Sequence, residues 1–204
     1  MFNAFARYFA AHRIAVSRFF ALAFFGVVLC TESAHEGTLA EPALFLLGLT
    51  LVGVATVGRL WCSLYISGHK NSELITAGPY SLTRNPLYVF SLLGFAGIGF
   101  ATETATLGIA LTAIVFAGYP AVIRQEEAVL HARFGAAFEA YRARVPAFLP
   151  RLSGYEEPET YSVNPRMFRR SMFDVIWFVW FVGIVEVVEA LHELHIIEPL
   201  VHLP

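Results

Sequence analysis

The chain has 204 residues, 57% of them hydrophobic and only 15% charged, with a mean hydropathy of +0.61. Soluble domains carry about 25% charged residues to cover their surface, so this composition excludes a water-soluble globule and points to an integral membrane protein. Fourteen Lys and Arg against sixteen Asp and Glu give a formal net charge of −2, too weak a field to hold nucleic acid by counterion release.

The predicted elements make an all-α membrane protein with about five transmembrane helices, each near the roughly 20 apolar residues a span needs. Residues Met1 to Arg13 form an interfacial lead-in with no small-residue cleavage site. Helix 1 runs from Ile14 to Thr31, with Arg18 able to snorkel, and helix 2 from Pro42 to Ile66, interrupted by Arg59. Helices 3 and 4 start at Pro86 and Thr104; only Ala101, Thr102 and Glu103 separate them, which predicts a tight antiparallel hairpin. From 124 to 150, Leu130, Phe134, Phe138, Tyr141 and Val145 recur every three or four residues among arginines, predicting an amphipathic helix on the membrane or folded over the bundle, ended by Pro146 and Pro150. A loop over 151–172 leads to helix 5, Phe173 to Ile197. Cys30 and Cys62 lie in apolar runs and are expected to be buried thiols. The whole chain, 1–204, reads as one membrane domain.

Basic residues set the expected orientation. Arg7, Arg13 and Arg18 precede helix 1, Lys70 and Arg84 lie between helices 2 and 3, and eight arginines from Arg124 to Arg170 lie between helices 4 and 5. The turn from Glu32 to Glu41, the Glu103 turn and the tail after Ile197 have no Lys or Arg. This predicts a cytoplasmic N-terminus, an outer C-terminus and cytoplasmic polar chemistry in 67–85 and 124–172.

Two groups of residues there are candidates for chemistry. In Gly78-Pro79-Tyr80-Ser81-Leu82-Thr83-Arg84-Asn85-Pro86-Leu87-Tyr88, Gly78-Pro79 makes a turn and Pro86 suits the first position of a helix. Arg84 and Asn85 then sit at a helix mouth, where free N–H groups, the helix dipole and a guanidinium suit a carboxylate or phosphate. Arg84 on lipid headgroups and Tyr88 in an aromatic belt is the competing reading. The second group, Arg124-Gln125-Glu126-Glu127, holds adjacent carboxylates that need cationic partners, with Arg84 and Arg124 at hand, or else form a solvated acidic edge. On helix 5, Glu189-x-x-His192 has the spacing of carboxylate-bridged metal sites, repeated by Glu32-x-x-His35. The favoured reading there is a polar helix end, with Glu186 turned toward neighbouring helices because a lipid-facing carboxylate costs about 3 kcal/mol.

Taken in order, Gly78-Pro79-Tyr80, Arg84-Asn85-Pro86-Leu87-Tyr88, an apolar hairpin, Glu126-Glu127, Leu130, Phe134-Gly135, Tyr141 and Pro146 resemble the isoprenylcysteine carboxyl methyltransferase family and, more distantly, phospholipid N-methyltransferases. The resemblance covers residues 48 to 150. It implies a membrane enzyme that binds S-adenosylmethionine (SAM) in a cytoplasmic pocket formed mainly by 67–150 and takes a lipophilic methyl acceptor from the bilayer. It implies cofactor contacts at Gly78, Pro79, Tyr80, Arg84, Asn85, Pro86, Tyr88, Glu126 and Glu127, with Arg84, Asn85 and Glu127 the candidate catalytic residues and no resident metal. Arg59 with Trp61 resembles a further family pattern. One departure matters: the family commonly has His where this chain has Asn85, and Asn hydrogen-bonds but does not shuttle a proton. Carboxyl methylation of an isoprenylcysteine-like acceptor and methylation of a phospholipid amine both fit the resemblance. A membrane sterol reductase, which is longer, and a non-catalytic transporter or assembly subunit are the rivals.

Overall fold

The computed structural model describes residues 19–34, 37–69 and 72–204. The lead-in, the start of helix 1 at Ile14, Arg18, His35 and Lys70 lie outside the described residues. Seven helices are described: α1 (Phe19–Cys30), then α2 (Ala40–Ile66), α3 (Pro79–Leu82), α4 (Pro86–Phe100), α5 (Ala105–Phe134), α6 (Ala136–Arg144) and α7 (Pro165–Glu193). A 3₁₀ turn (Leu152–Gly154) and two three-residue strands, β1 (Thr31–Ser33) and β2 (Val201–Leu203), complete the chain. α2, α5 and α7 are long and apolar enough to cross a membrane, while α4 and the described part of α1 are shorter apolar helices.

Between apolar helices in lipid no hydrophobic force acts, so close association depends on small residues that let backbones touch. α2 and α4 meet in this way. A Cβ on Gly48 would stand 2.5 Å from the Ala101 nitrogen, and one on Gly97 would stand 2.7 Å from the Gly48 carbonyl oxygen. α7 packs across both helices, its Phe178 fully buried in a cluster with Val52, Ile98, Ala101 and Val182. Apolar residues of α2, α5 and α7 that face outward, such as Val54, Ile114 and Val179, stay exposed as a lipid-facing helix requires.

The structure revises several expectations. The amphipathic segment is not one helix, because α5 continues without a break to Phe134 and turns at Gly135, whose φ of +50° suits glycine and whose N–H bonds the His131 carbonyl. The apolar periodicity is nonetheless real, since Phe138, Tyr141 and Val145 pack together against Leu74, Leu130 and Phe134. The last helix begins eight residues before Phe173, because the Asn164 side chain caps the Arg166 and Met167 amides and Pro165 fills the first helical position. It also stops short of Ile197. His195, at φ +53°, ends it with a His195 N–H to His192 bond and an Ile196 N–H to Leu191 bond, the pattern of a Schellman cap.

The two segments expected as outer loops pair instead. β1 and β2 run parallel, Glu32 opposite His202, and the Thr106 amide reaches the Pro204 carbonyl at 2.9 Å. Leu203 is drawn there by Val28, Leu107, Val185 and Val188, which it helps to cover. Cys62 is buried as expected, but Cys30 is exposed, because it falls two positions from core-facing Val28 and so points away from the bundle.

Candidate active site

The polar residues collect at the end of the bundle formed by the C-terminus of α2 and the N-terminus of α4. Gly78 starts this region: its φ is +59°, and a Cβ there would meet the Tyr65 ring at 2.3 Å, so only glycine makes the turn. α3 then carries Tyr80 inward, and the chain leaves it extended at Thr83, bends at Arg84 and enters α4 at Pro86. The chain following α6 is stapled to this stretch. The Arg84 amide donates to the Pro146 carbonyl (2.9 Å), the Asn85 carboxamide to Ala147 (2.8 Å) and the Thr83 hydroxyl to Ala147 (3.1 Å). The Tyr141 hydroxyl donates to the Tyr80 carbonyl at 2.7 Å.

A cavity of about 630 Å³ opens here between α4, α5 and α6, within the range of about 300–1,000 Å³ typical of small-molecule sites. Arg84 and Glu127 pair on its wall, Nε to Oε1 at 2.9 Å, with side chains only 10% and 18% exposed. Nη1 of Arg84 donates to the carbonyls of Arg142 (3.1 Å) and Val145 (2.6 Å). Burial raises the Tyr80 and Tyr141 phenols well above their ordinary range, so both stay protonated and neutral. The Tyr80 hydroxyl is buried without a hydrogen-bond partner. Tyr88 packs edge-on against Tyr119, with ring centroids 4.9 Å apart. Leu74, Ile75, Leu130 and Phe138 supply apolar wall, and Glu126 stands exposed at the rim.

The segment after Pro150 lies across this region as a fixed strap. The Gly78 amide donates to the Glu156 carbonyl (2.8 Å), the Glu156 amide to the Ser81 hydroxyl (3.0 Å), and the Arg151 amide to Leu82 (2.9 Å). Further along, the hydroxyls of Tyr65 and Tyr161 bond Glu157 (3.0 Å) and the Tyr65 carbonyl (2.6 Å).

Residues 43–137 match the family model described as phospholipid methyltransferase. The chain is 47% identical over 169 residues, 82% of its length and 77% of the relative's, to the cobalt-zinc-cadmium resistance protein CzcN of Cupriavidus metallidurans. It is 44% identical over an equal share, 78% of the relative's length, to the nickel-cobalt-cadmium resistance protein NccN of Alcaligenes xylosoxydans xylosoxydans. Over 36% of the chain and 27% of the relative it is 42% identical to methanethiol S-methyltransferase 2 of Bradyrhizobium diazoefficiens. The chain belongs to the phospholipid methyltransferase family. No solved structure matches it.

This family of membrane methyltransferases includes the isoprenylcysteine carboxyl methyltransferase-like proteins that the sequence motifs resemble. The matched region contains the Arg84 and Glu127 motifs, while Tyr141 and the 145–147 staple lie beyond it. Of the residues singled out from sequence, Tyr80, Arg84, Asn85, Pro86, Tyr88, Glu126 and Glu127 line this cavity, together with Arg59. Gly78 and Pro79 lie outside its lining and act by shaping the turn that places Tyr80. Arg124 is exposed and outside the lining. Sequence reading missed Ser91, whose only signal is a lone serine on α4, and Glu73. At the other end of the bundle His192 is a buried core histidine whose Nε2 lies 3.2 Å from the Leu29 carbonyl oxygen. Glu186 is exposed, not turned inward: Val182, Val185, Val188 and His192 take the buried face, and Glu186 falls one step off it. Glu103, left-handed in the hairpin turn, has its carboxyl pushed up to about 7 by burial and by Glu41 and Glu186.

Proposed function

We propose that this chain is a SAM-dependent enzyme that methylates a lipophilic acceptor reached from the bilayer, and that the acceptor atom is a carboxylate oxygen of an isoprenylcysteine-like molecule. The observation that carries this reading is the meeting of the Arg84 and Glu127 motifs in one cavity beside an unpartnered buried phenol. The residues fit the cofactor. Tyr80 has a free neutral donor, Glu126 and Glu127 offer carboxylates to an amine and a sulfonium, and Ile75, Leu130 and Phe138 give an adenine an apolar wall. When bound, SAM supplies a methyl group that bonds to the carboxylate oxygen as its bond to sulfur breaks, the electron pair leaving with sulfur and no proton being released.

The protein's own work is therefore alignment and exclusion of water rather than proton transfer. Arg84 would hold the cofactor's carboxylate through Nη2, which has no acceptor among the described residues, while Glu127 and the carbonyls of Arg142 and Val145 fix the guanidinium plane. Asn85 spends its amide nitrogen on Ala147, so it acts here by holding the staple in place. The active end faces the cytoplasm in this reading, with the N-terminus on the same side and the C-terminus outside.

The description of the matching family favours one alternative, methylation of a phospholipid amine, with Glu126 at the rim as the group to meet a cationic head. Purified protein in nanodiscs with methyl-labelled SAM separates the two. Transfer to N-acetyl-S-farnesylcysteine, released as volatile methanol by mild base, is the expected result. Base-stable label in phosphatidylethanolamine would replace the carboxylate reading with the amine one. No transfer to either lipid, with no binding of S-adenosylhomocysteine to folded protein, would leave a non-catalytic membrane role.

A further inference from the structure

Arg59 sits in α2 seven residues before Ile66, about 10 Å from the helix end at 1.5 Å per residue. At that depth a guanidinium needs a counter-charge or a full set of acceptors. It has neither. Nη1 donates to the Ser91 hydroxyl, which itself donates to the Leu87 carbonyl at 2.6 Å, and the guanidinium carbon lies 5.5 Å above the Phe178 ring. Nε is buried without any hydrogen-bond partner, and among the described residues no carboxylate forms an ion pair with it. Arg84, the cavity's other arginine, is by contrast paired with Glu127.

Arg59 and Ser91 both line the cavity, so the counter-charge that Asp174 does not supply by contact can come from a ligand inside it. We infer that Arg59 is the residue that recognises the acceptor, by binding an anionic carboxylate at the inner wall of the cavity; this rests on the methyltransferase reading above. The guanidinium offers Nε and a second nitrogen side by side, the fork that a carboxylate fills in bidentate fashion. A neutral thiol or carboxamide leaves the guanidinium without a contacting counter-charge, and an ammonium head is repelled. The geometry thus selects a lipophilic acid whose carboxylate is carried below the helix ends while its chain stays in the bilayer.

The test measures binding of N-acetyl-S-farnesylcysteine and of its carboxamide to the full chain in detergent, with S-adenosylhomocysteine binding followed in the same samples. Wild type should bind the carboxylate at least tenfold more tightly than the carboxamide. In Arg59→Gln that preference should fall below threefold while S-adenosylhomocysteine affinity stays within threefold of wild type, and Arg59→Lys, which keeps the charge, should retain a preference above threefold. Equal binding of acid and amide by wild type that still binds S-adenosylhomocysteine overturns the assignment of Arg59 alone. An undiminished preference in Arg59→Gln does the same. Absence of S-adenosylhomocysteine binding by wild type overturns the methyltransferase reading itself. If Arg59→Gln does not fold, the wild-type comparison and the lysine variant decide the question.

Discussion

The Arg84–Glu127 pair is the feature on which the site stands, and Glu127→Gln probes it with the least change of shape. The carboxylate accepts from Nε at 2.9 Å and both side chains are mostly buried. Removing one member of such a pair outright costs about 3–5 kcal/mol, because the other charge is left stranded. Glutamine keeps an oxygen in place for Nε but takes the charge out of the bond Glu127 is proposed to make to the cofactor, the difference between about 1.5–3 and about 0.5–1.5 kcal/mol per hydrogen bond, so the expected loss in binding is about 1.5 kcal/mol. At 1.4 kcal/mol per decade this is about tenfold in affinity for S-adenosylhomocysteine, measured by calorimetry in detergent. The Arg142 and Val145 carbonyls still hold the guanidinium, so the fold should survive. Arg84→Lys should do more harm, since an ammonium cannot reproduce the fork that meets Glu127 and two carbonyls at once. Wild-type affinity in a folded Glu127→Gln sample would refute the role given to the pair.

Three other outcomes follow from the packing and charges. Gly48→Ala places a Cβ 2.5 Å from the Ala101 nitrogen and should lower the thermal midpoint in detergent, with a cost of about 1–3 kcal/mol for overpacking two backbones. Tyr141→Phe removes the 2.7 Å bond to the Tyr80 carbonyl; a loss of about 1 kcal/mol and weaker S-adenosylhomocysteine binding are expected, since that bond helps position Tyr80. Glu103 carries a carboxyl raised from 4.5 to about 7. The folded state therefore binds the extra proton, and the stability present below pH 4.5 is lost as pH rises through about 7. The thermal midpoint should fall between about pH 5 and pH 8, and fall less in Glu103→Gln; parallel profiles would show that Glu103 is not the titrating group.

The parts of this site that were legible in sequence are those that helix grammar writes into neighbouring residues. Pro86 marks a helix start, and that alone places Arg84 and Asn85 at its mouth. Glu126-Glu127 stands out as paired carboxylates at the edge of an apolar run, and a four-residue turn between two helices brings it to the same end as Arg84. The staple at 145–147 was not legible because it works through backbone carbonyls, which every residue has. Nor could β2 be seen, since Val201-His202-Leu203 is too short for any periodicity. Gly135 split the amphipathic helix while leaving its spacing intact, because Phe138, Tyr141 and Val145 still reach the apolar cluster that Leu130 and Phe134 begin. Periodicity reports which residues face a core; it does not report whether one helix or two carry them.

α7 shows how a segment outside the matched family region contributes to the site. The family match ends at residue 137, yet Phe178 of α7 fills the space that Gly94 leaves open, where a Cβ would meet its ring at 2.2 Å. The same ring lies beneath the Arg59 guanidinium. Trp177 stacks on Phe178 with centroids 3.9 Å apart, and Phe95 closes on both, so Arg59 is backed by aromatic surface. Water admitted on that side would hydrate the guanidinium and remove its need for an anion. The aromatic backing leaves the cavity as the direction from which an unsatisfied Nε can be met, and in this way the last helix, which touches no residue of the Arg84 and Glu127 motifs in the hydrogen bonds described, bears on what the cavity can recognise.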